Sequence, residues 1–157
     1  MDDIEDILNI DGLQVTQVQQ NGNDYRITVE TTSPPCCCPH CREVNPPLQK
    51  FGTKDQMFMD LPIHAKRVGI LVKRQRFRCK SCGSTFLEEL QMMDDKRSAT
   101  TRMLKYVGEQ LMQRTFVSIA DEIGIDEKTV RNIFNDYVEH LKSTVKIETP
   151  RLMGINE

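Results

Sequence analysis

Two Cys-x-x-Cys turns constrain this chain more than anything else in it. Cys38-Pro39-His40-Cys41 forms the first and Cys79-Lys80-Ser81-Cys82 the second, with 37 residues between them. Zinc is held by four ligands in a tetrahedron, with Zn–S near ~2.3 Å. Two thiolates three positions apart in a tight turn can face one ion, and two such turns complete the set. Pro39, Ser81 and Gly83 are the turn residues this geometry needs. The pairing therefore predicts one structural Zn²⁺ held by Cys38, Cys41, Cys79 and Cys82. Cys36 and Cys37 stand just before the first pair. Either can replace Cys38, because longer ligand spacings also occur; Pro39 favours a knuckle built on Cys38 and Cys41. His40 should point away from the ion. His64 reads as a surface or phosphate-contacting residue rather than a ligand.

Six cysteines could also make disulfides, but only in an oxidising compartment. The N-terminal stretch MDDIEDILNI is acidic, with no long apolar run, so it is neither a signal nor a transit peptide. No stretch approaches the roughly 20 apolar residues of a membrane span. The expectation is a cytoplasmic protein with reduced thiols and no membrane contact.

The 157 residues suit one or two small domains. The expected class is α+β: a small zinc-stabilised β module followed by an all-α module. Ile4, Ile7 and Leu8 lie at helical spacing within 2–10. LQVTQVQQ and YRITVETT flank Asn-Gly and predict a hairpin, so 1–35 should be a helix and hairpin packed on the zinc module. The zinc-ribbon-like module covers 36–90, with a strand near 54–60, a break at Pro62 and a longer strand near 66–78. A module this small has little core of its own. Structural zinc can supply on the order of 10 kcal/mol of folding free energy.

Charge is balanced overall, with 21 Lys+Arg against 23 Asp+Glu, yet residues 34–82 hold ten bases and three acids. The stretch HAKRVGILVKRQRFRCKSC carries Lys66, Arg67, Lys73, Arg74, Arg76, Arg78 and Lys80 and no acid. Strand alternation puts Val68, Ile70, Val72, Arg74, Arg76 and Arg78 on one face and Leu71, Lys73, Gln75, Phe77 and Cys79 on the other. The second set suits a small core beside the zinc. A solvated edge strand usually mixes signs, so a run of bases alone favours a phosphate-contacting surface.

From Thr100 to Leu141 the apolar period is helical, and 97–145 forms the second module. In FVSIADEIGIDEKTVRNIFNDY, Ala120 is followed four residues on by Gly124, with Ile119, Ile123, Ile125, Val130 and Ile133 as a shared core. This is helix-turn-helix spacing: the small residue lets two helices pass closely and glycine accepts the left-handed turn. Thr115 and Asp126 are the expected N-caps. The second helix would present Lys128, Thr129, Arg131, Asn132 and Asn135, and Arg and Asn suit bidentate contacts with guanine and adenine. A helix over about 98–113 would pack through Met103, Leu104, Val107 and Leu111.

The combination of CPHC, RQRFRC, CKSCG with STF and the helix-turn-helix resembles the N-terminal part of bacterial insertion-sequence transposases of the ISL-three family, over about 36–157. The resemblance implies a zinc-ribbon-like module and a helix-turn-helix that bind double-stranded DNA at terminal inverted repeats, ahead of a DDE catalytic domain. It also implies a bacterial, nucleoid-associated setting. RLMGINE resembles the start of that catalytic domain, and 146–157 would be its truncated beginning. Asn156 stands where the family carries its first metal-binding aspartate, and a neutral amide is a poorer ligand for a divalent ion. With the remaining carboxylates absent, no catalytic residue is assigned and the polypeptide should not cut or join DNA. Two other functions fit the same parts: a free-standing zinc-dependent transcriptional regulator, and a zinc-stabilised protein-interaction module whose helices bind a partner protein, with the acidic N-terminal third either serving that role or shielding the basic strand. A homodimer is compatible with the pattern, which does not fix the oligomeric state.

Overall fold

A computed structural model describes residues 7–146. The helix expected over 2–10 falls mostly outside them, with Ile7 and Leu8 helical; RLMGINE and Asn156 also lie outside the described residues. The predicted hairpin is formed by β1 (Leu13–Asn21) and β2 (Asp24–Thr31), paired antiparallel. Gly22 supplies the positive φ of its two-residue turn.

Of the next two strands, the first is longer than the sequence predicts and the second lies close to the expected 66–78. β3 spans Leu48–Ile63 and β4 spans Lys66–Cys79. Pro62 does not end β3, because it sits where the pairing with β4 slips between Asp60 and Ile63 and no ladder N–H is required of it. The turn falls on His64 and Ala65, both at positive φ (52° and 59°) without a glycine or asparagine to announce it. β2 lies parallel to the first half of β4, from Asp24↔Arg67 to Val29↔Val72. Past that point β5 (Thr85–Leu87) pairs with the end of β4 instead.

Two short strands, β6 (Met93–Asp94) and β7 (Ala99–Thr100), extend the far edge. The order is β1-β2-β4-β3-β7-β6, with β5 beside β4. β6 thus falls between the zinc-ribbon-like module expected over 36–90 and the helical module expected over 97–145, so the segment between them joins the sheet. Among the described residues three helices follow: α1 (Thr101–Gln110), α2 (Phe116–Ile123) and α3 (Glu127–Thr144). Among the described residues, none of the helices is long and apolar enough to cross a membrane.

The face of Phe77 and Cys79 forms the small core expected beside the cysteines, and a larger core uses the other face of β4. Val68, Ile70 and Val72 are fully buried with Ile27, Val29 and Phe58, beneath Leu8, Ile10, Leu90 and Met93. The main core therefore lies on the face that ends in arginines. The other face is buried only at its zinc end, through Phe77 and Cys79. Burial changes sides along one strand because β2 and its cover stop at Val72, and the cysteine turns begin to pack from the opposite side.

Arg74 falls on the core side of that change. Its side chain is 7% exposed, donates to the Glu88 carbonyl (2.8 Å) and Gln56 (2.9 Å), and pairs with Asp95 (2.8 Å). It anchors the chain after β5 and is not positioned for a phosphate. Glu88, also buried, fills the gap where β2 leaves β4, accepting from the Thr31 hydroxyl (2.7 Å) and the Gln75 amide (2.7 Å).

The helical cluster forms as its spacing predicts. Met103, Val107, Ile119, Ala120, Ile123, Val130 and Ile133 are buried, with Leu104, Leu111 and Ile125 packed around them. Tyr137 lies against Gly108, where an added Cβ would approach its ring to 2.5 Å, so α1 and α3 cross at a glycine. Met59 and Leu61 of β3 pack against the same cluster.

Candidate metal centre and nucleic-acid interface

The two cysteine turns are built alike. Cys38 N–H donates to the Glu43 carbonyl (3.1 Å) and Arg42 N–H returns to the Cys38 carbonyl (2.9 Å). In the second turn Cys79 N–H donates to the Ser84 carbonyl (2.9 Å) and Gly83 N–H returns to the Cys79 carbonyl (2.8 Å). Gly83 takes a φ of 74° and Arg42 fills the equivalent left-handed place at 60°. Each turn hydrogen-bonds its own backbone and so aims two sulfurs the same way.

The four Sγ atoms of Cys38, Cys41, Cys79 and Cys82 lie within 4.8 Å of one another. Cys38–Cys82 is 3.8 Å and Cys41–Cys79 is 3.9 Å. A tetrahedron with Zn–S of ~2.3 Å has edges of about 3.8 Å. A disulfide would need about 2.05 Å. The cluster is therefore a four-thiolate set of the size and chemistry of one structural zinc site.

Ionisation of the bare thiols is uneven. The Ser84 backbone N–H and hydroxyl hold Cys82 down to about 6. Cys41 accepts from the Glu43 backbone, which lowers it, but desolvation and the other three sulfurs push it up to about 12. Four thiolates this close repel one another, and a divalent cation offsets that repulsion.

Cys36 and Cys37 are exposed and outside the set. Their backbones close the first turn, Cys36 accepting from Asn45 N–H (2.8 Å) and Cys37 bridging to Val44. His40 packs edge-on against Phe86 (6.4 Å), which stacks on Phe77 (6.1 Å). This aromatic cover beside the sulfurs is absent from the sequence reading, although the STF stretch carries its Phe86.

The basic residues of β4 divide into two groups. At the hairpin end, Lys66 lies over the Tyr25 ring (5.1 Å) and Arg67 makes a two-point pair with Asp24 (2.6 and 2.9 Å). Part of the acidic N-terminal third thus engages the strand. At the zinc end Lys73, Arg76 and Arg78 are exposed, and none forms an ion pair among the described residues. Arg76 and Arg78 share a face with Lys54 of β3, and Lys73 points to the opposite face.

In the helical part, Thr115 caps α2 by accepting from Ser118 N–H (3.2 Å). Gly124 follows at a φ of 82°, and Asp126 caps α3 by accepting from Thr129 N–H (2.8 Å). The Thr129 hydroxyl and amide hold the Asp126 carboxyl below its ordinary range. Because that hydroxyl is engaged with Asp126 (2.6 Å), Thr129 is a capping partner in this structure. Lys128, Arg131 and Asn135 are exposed and Asn132 half-buried. Arg131 pairs with Glu127 (2.6 Å) and lies over the Phe116 ring (5.1 Å), so its guanidinium is already held in place. Arg114, between α1 and α2, pairs with Glu122, which also accepts from Tyr106 (2.8 Å). The sequence reading missed this brace because its partners are spread over 17 residues and come from two helices and the turn between them.

A family model described as the zinc-finger of transposase IS204/IS1001/IS1096/IS1165 matches residues 34–82. A second, described as the helix-turn-helix domain of transposase family ISL3, matches residues 88–138. No curated protein and no solved structure matched the chain. The first match encloses the four clustered cysteines and the second all three helices up to Val138 of α3. The chain carries the zinc-ribbon and helix-turn-helix domains of ISL3-family transposases.

Proposed function

We propose that this chain binds double-stranded DNA sequence-specifically and reads the terminal inverted repeat of its insertion element as the DNA-binding part of a DDE transposase. The carrying observation is the capped α2–Gly124–α3 unit, which leaves Lys128, Arg131, Asn132 and Asn135 with no role in its core. Such a second helix enters the major groove, with the residues near its N-terminus at base edges. Arg131 would give up Glu127 for a guanine, and Asn132 or Asn135 would take an adenine. Lys128 and the zinc-end bases Lys73, Arg76 and Arg78 would contact phosphate, which carries no sequence information.

Cys38, Cys41, Cys79 and Cys82 hold the zinc in this reading. The ion joins two distant turns and fixes the end of β4 that bears the arginines; it takes no part in chemistry.

The test is binding of the zinc-loaded chain to a duplex from the element's end and to a scrambled duplex at several salt concentrations. We expect preference for the repeat, and an Arg131→Ala change that cuts this preference by about tenfold or more, since one good bidentate base contact discriminates by about 1–3 kcal/mol. Equal binding of both duplexes at every salt concentration would refute sequence reading.

A further inference from the structure

The two domains are joined by a rigid frame. The Asp60 side chain on β3 is 1% exposed and accepts from the Thr100 hydroxyl (2.7 Å) and Arg102 Nε (2.9 Å). Thr100 is the N-cap of α1, and Arg102 also donates to the Leu8 carbonyl (2.8 Å). One buried carboxylate thus ties the ribbon sheet, the N-terminal segment and the first helix of the second domain. The connecting segment is pinned along its length: Asp95 pairs with Arg74, Arg97 with Asp136 of α3 (2.7 Å), and Ser98 accepts from Met59 N–H (2.9 Å). At the hairpin end, Arg67 packs directly on the helix-turn-helix glycine; a Cβ on Gly124 would lie 1.8 Å from Arg67 Cδ.

The helix-turn-helix therefore sits at one end of β4 and the exposed bases Arg76 and Arg78 at the other. The eleven residue steps from Arg67 to Arg78 span about 36 Å at ~3.3 Å per residue. One turn of B-DNA is about 34–36 Å. We propose that the β3–β4 hairpin is a ruler: with α3 in the major groove, Arg76 and Arg78 meet backbone phosphates about one helical turn away on the same duplex. Asp60 is the positioning residue that holds the helix-turn-helix domain to its end of the hairpin. The ruler rests on the duplex-binding reading above.

The test uses the zinc-loaded chain and repeat duplexes shortened stepwise on the side of the second contact. Affinity should fall about tenfold in one step when phosphates about 10–11 base pairs from the centre of the helix-turn-helix site are removed. The R76Q/R78Q double variant should bind all these lengths equally, at the level of the shortened duplex, and keep its preference for the repeat. Matching length dependence in wild type and R76Q/R78Q, with the preference intact, overturns the ruler and leaves sequence reading standing. Failure of the wild type to prefer the repeat defeats the sequence reading and removes the basis of the ruler. In D60N that retains zinc and its helices, the step should spread over several base pairs; R97Q serves the same purpose if D60N does not fold. A step that stays sharp in a folded D60N overturns the positioning role of Asp60, and a sharp step in R97Q overturns the rigid frame.

Discussion

At Cys38 neighbouring residues of the same type part company. Cys36 and Cys37 have the same chemistry, yet only Cys38 starts a turn whose N–H and carbonyl close on Glu43 and Arg42, and only its sulfur faces the other three. Zinc content of single variants is the direct check: Cys38→Ser should lose the metal and Cys36→Ser should retain it. Arg42 shows the limit of residue-level reading. It occupies the left-handed position that Gly83 fills in the second turn, at a steric cost of roughly 1–2 kcal/mol for a residue with a Cβ. No glycine marks the place, so the symmetry of the two turns is visible only in the backbone. The residue types of β4 are similarly silent about role. Arg74 and Arg78 are both arginines of one basic run, but one is buried among Glu88, Gln56 and Asp95 and the other is exposed.

Among the elements, the helices follow their sequence most closely. α2 and α3 start at the expected caps and break at the expected glycine, because capping and left-handed turns are decided within four or five residues. Their electrostatics give a pH prediction. Thr129 holds Asp126 below the ordinary 3.8, and Arg97 does the same for Asp136. A carboxyl lowered on folding stabilises the fold above its unfolded value, and that stabilisation is lost as pH falls through the lowered value. Asp126→Ala should therefore lower Tm at pH 7, and the gap from wild type should narrow as pH drops below about 3.8. A gap that stays constant would show that the carboxylate charge is not what stabilises the cap. Strand β3 is less legible. β3 runs through Pro62 and begins at Leu48, because pairing with a long neighbour extends a strand past residues that would end it alone.

For the whole molecule, the main sheet core and the metal centre lie at different ends of β4. Ile70 is nine residues from Cys79, about 30 Å along an extended strand. Removing zinc by chelation should therefore release the cysteine turns and β5, while the core around Phe58, Val68, Ile70 and Val72 persists. Hydrogen exchange read by segment would test this, with fast exchange in 36–50 and 76–87 and continued protection in 27–29 and 68–72. Loss of protection everywhere at once would show instead that the metal supports the entire fold. The same measurement bears on the frame between the domains, since Asp60, Thr100 and Arg102 belong to the end that should persist.

Spacing and local turn chemistry pointed to the hairpin, the helix-turn-helix core, its caps and its turn, and to three of the four clustered cysteines, with Pro39 favouring Cys38 as the fourth. Each depends on contacts among residues close in sequence, or on a chemistry that demands a fixed ligand number. The resemblance to the ISL-three transposases was legible for the same reason, because two short motifs and their order carried it. Tertiary structure alone decided which face of β4 is core, that Arg74 is buried, and that the segment after β5 joins the sheet. It also decided that Asp60 binds the two domains together. Those outcomes depend on which strand lies beside which and where its cover ends, through partners up to about ninety residues apart, such as Leu8 and Arg102. Periodicity along a chain states that one face will be buried; only the packed neighbours state which.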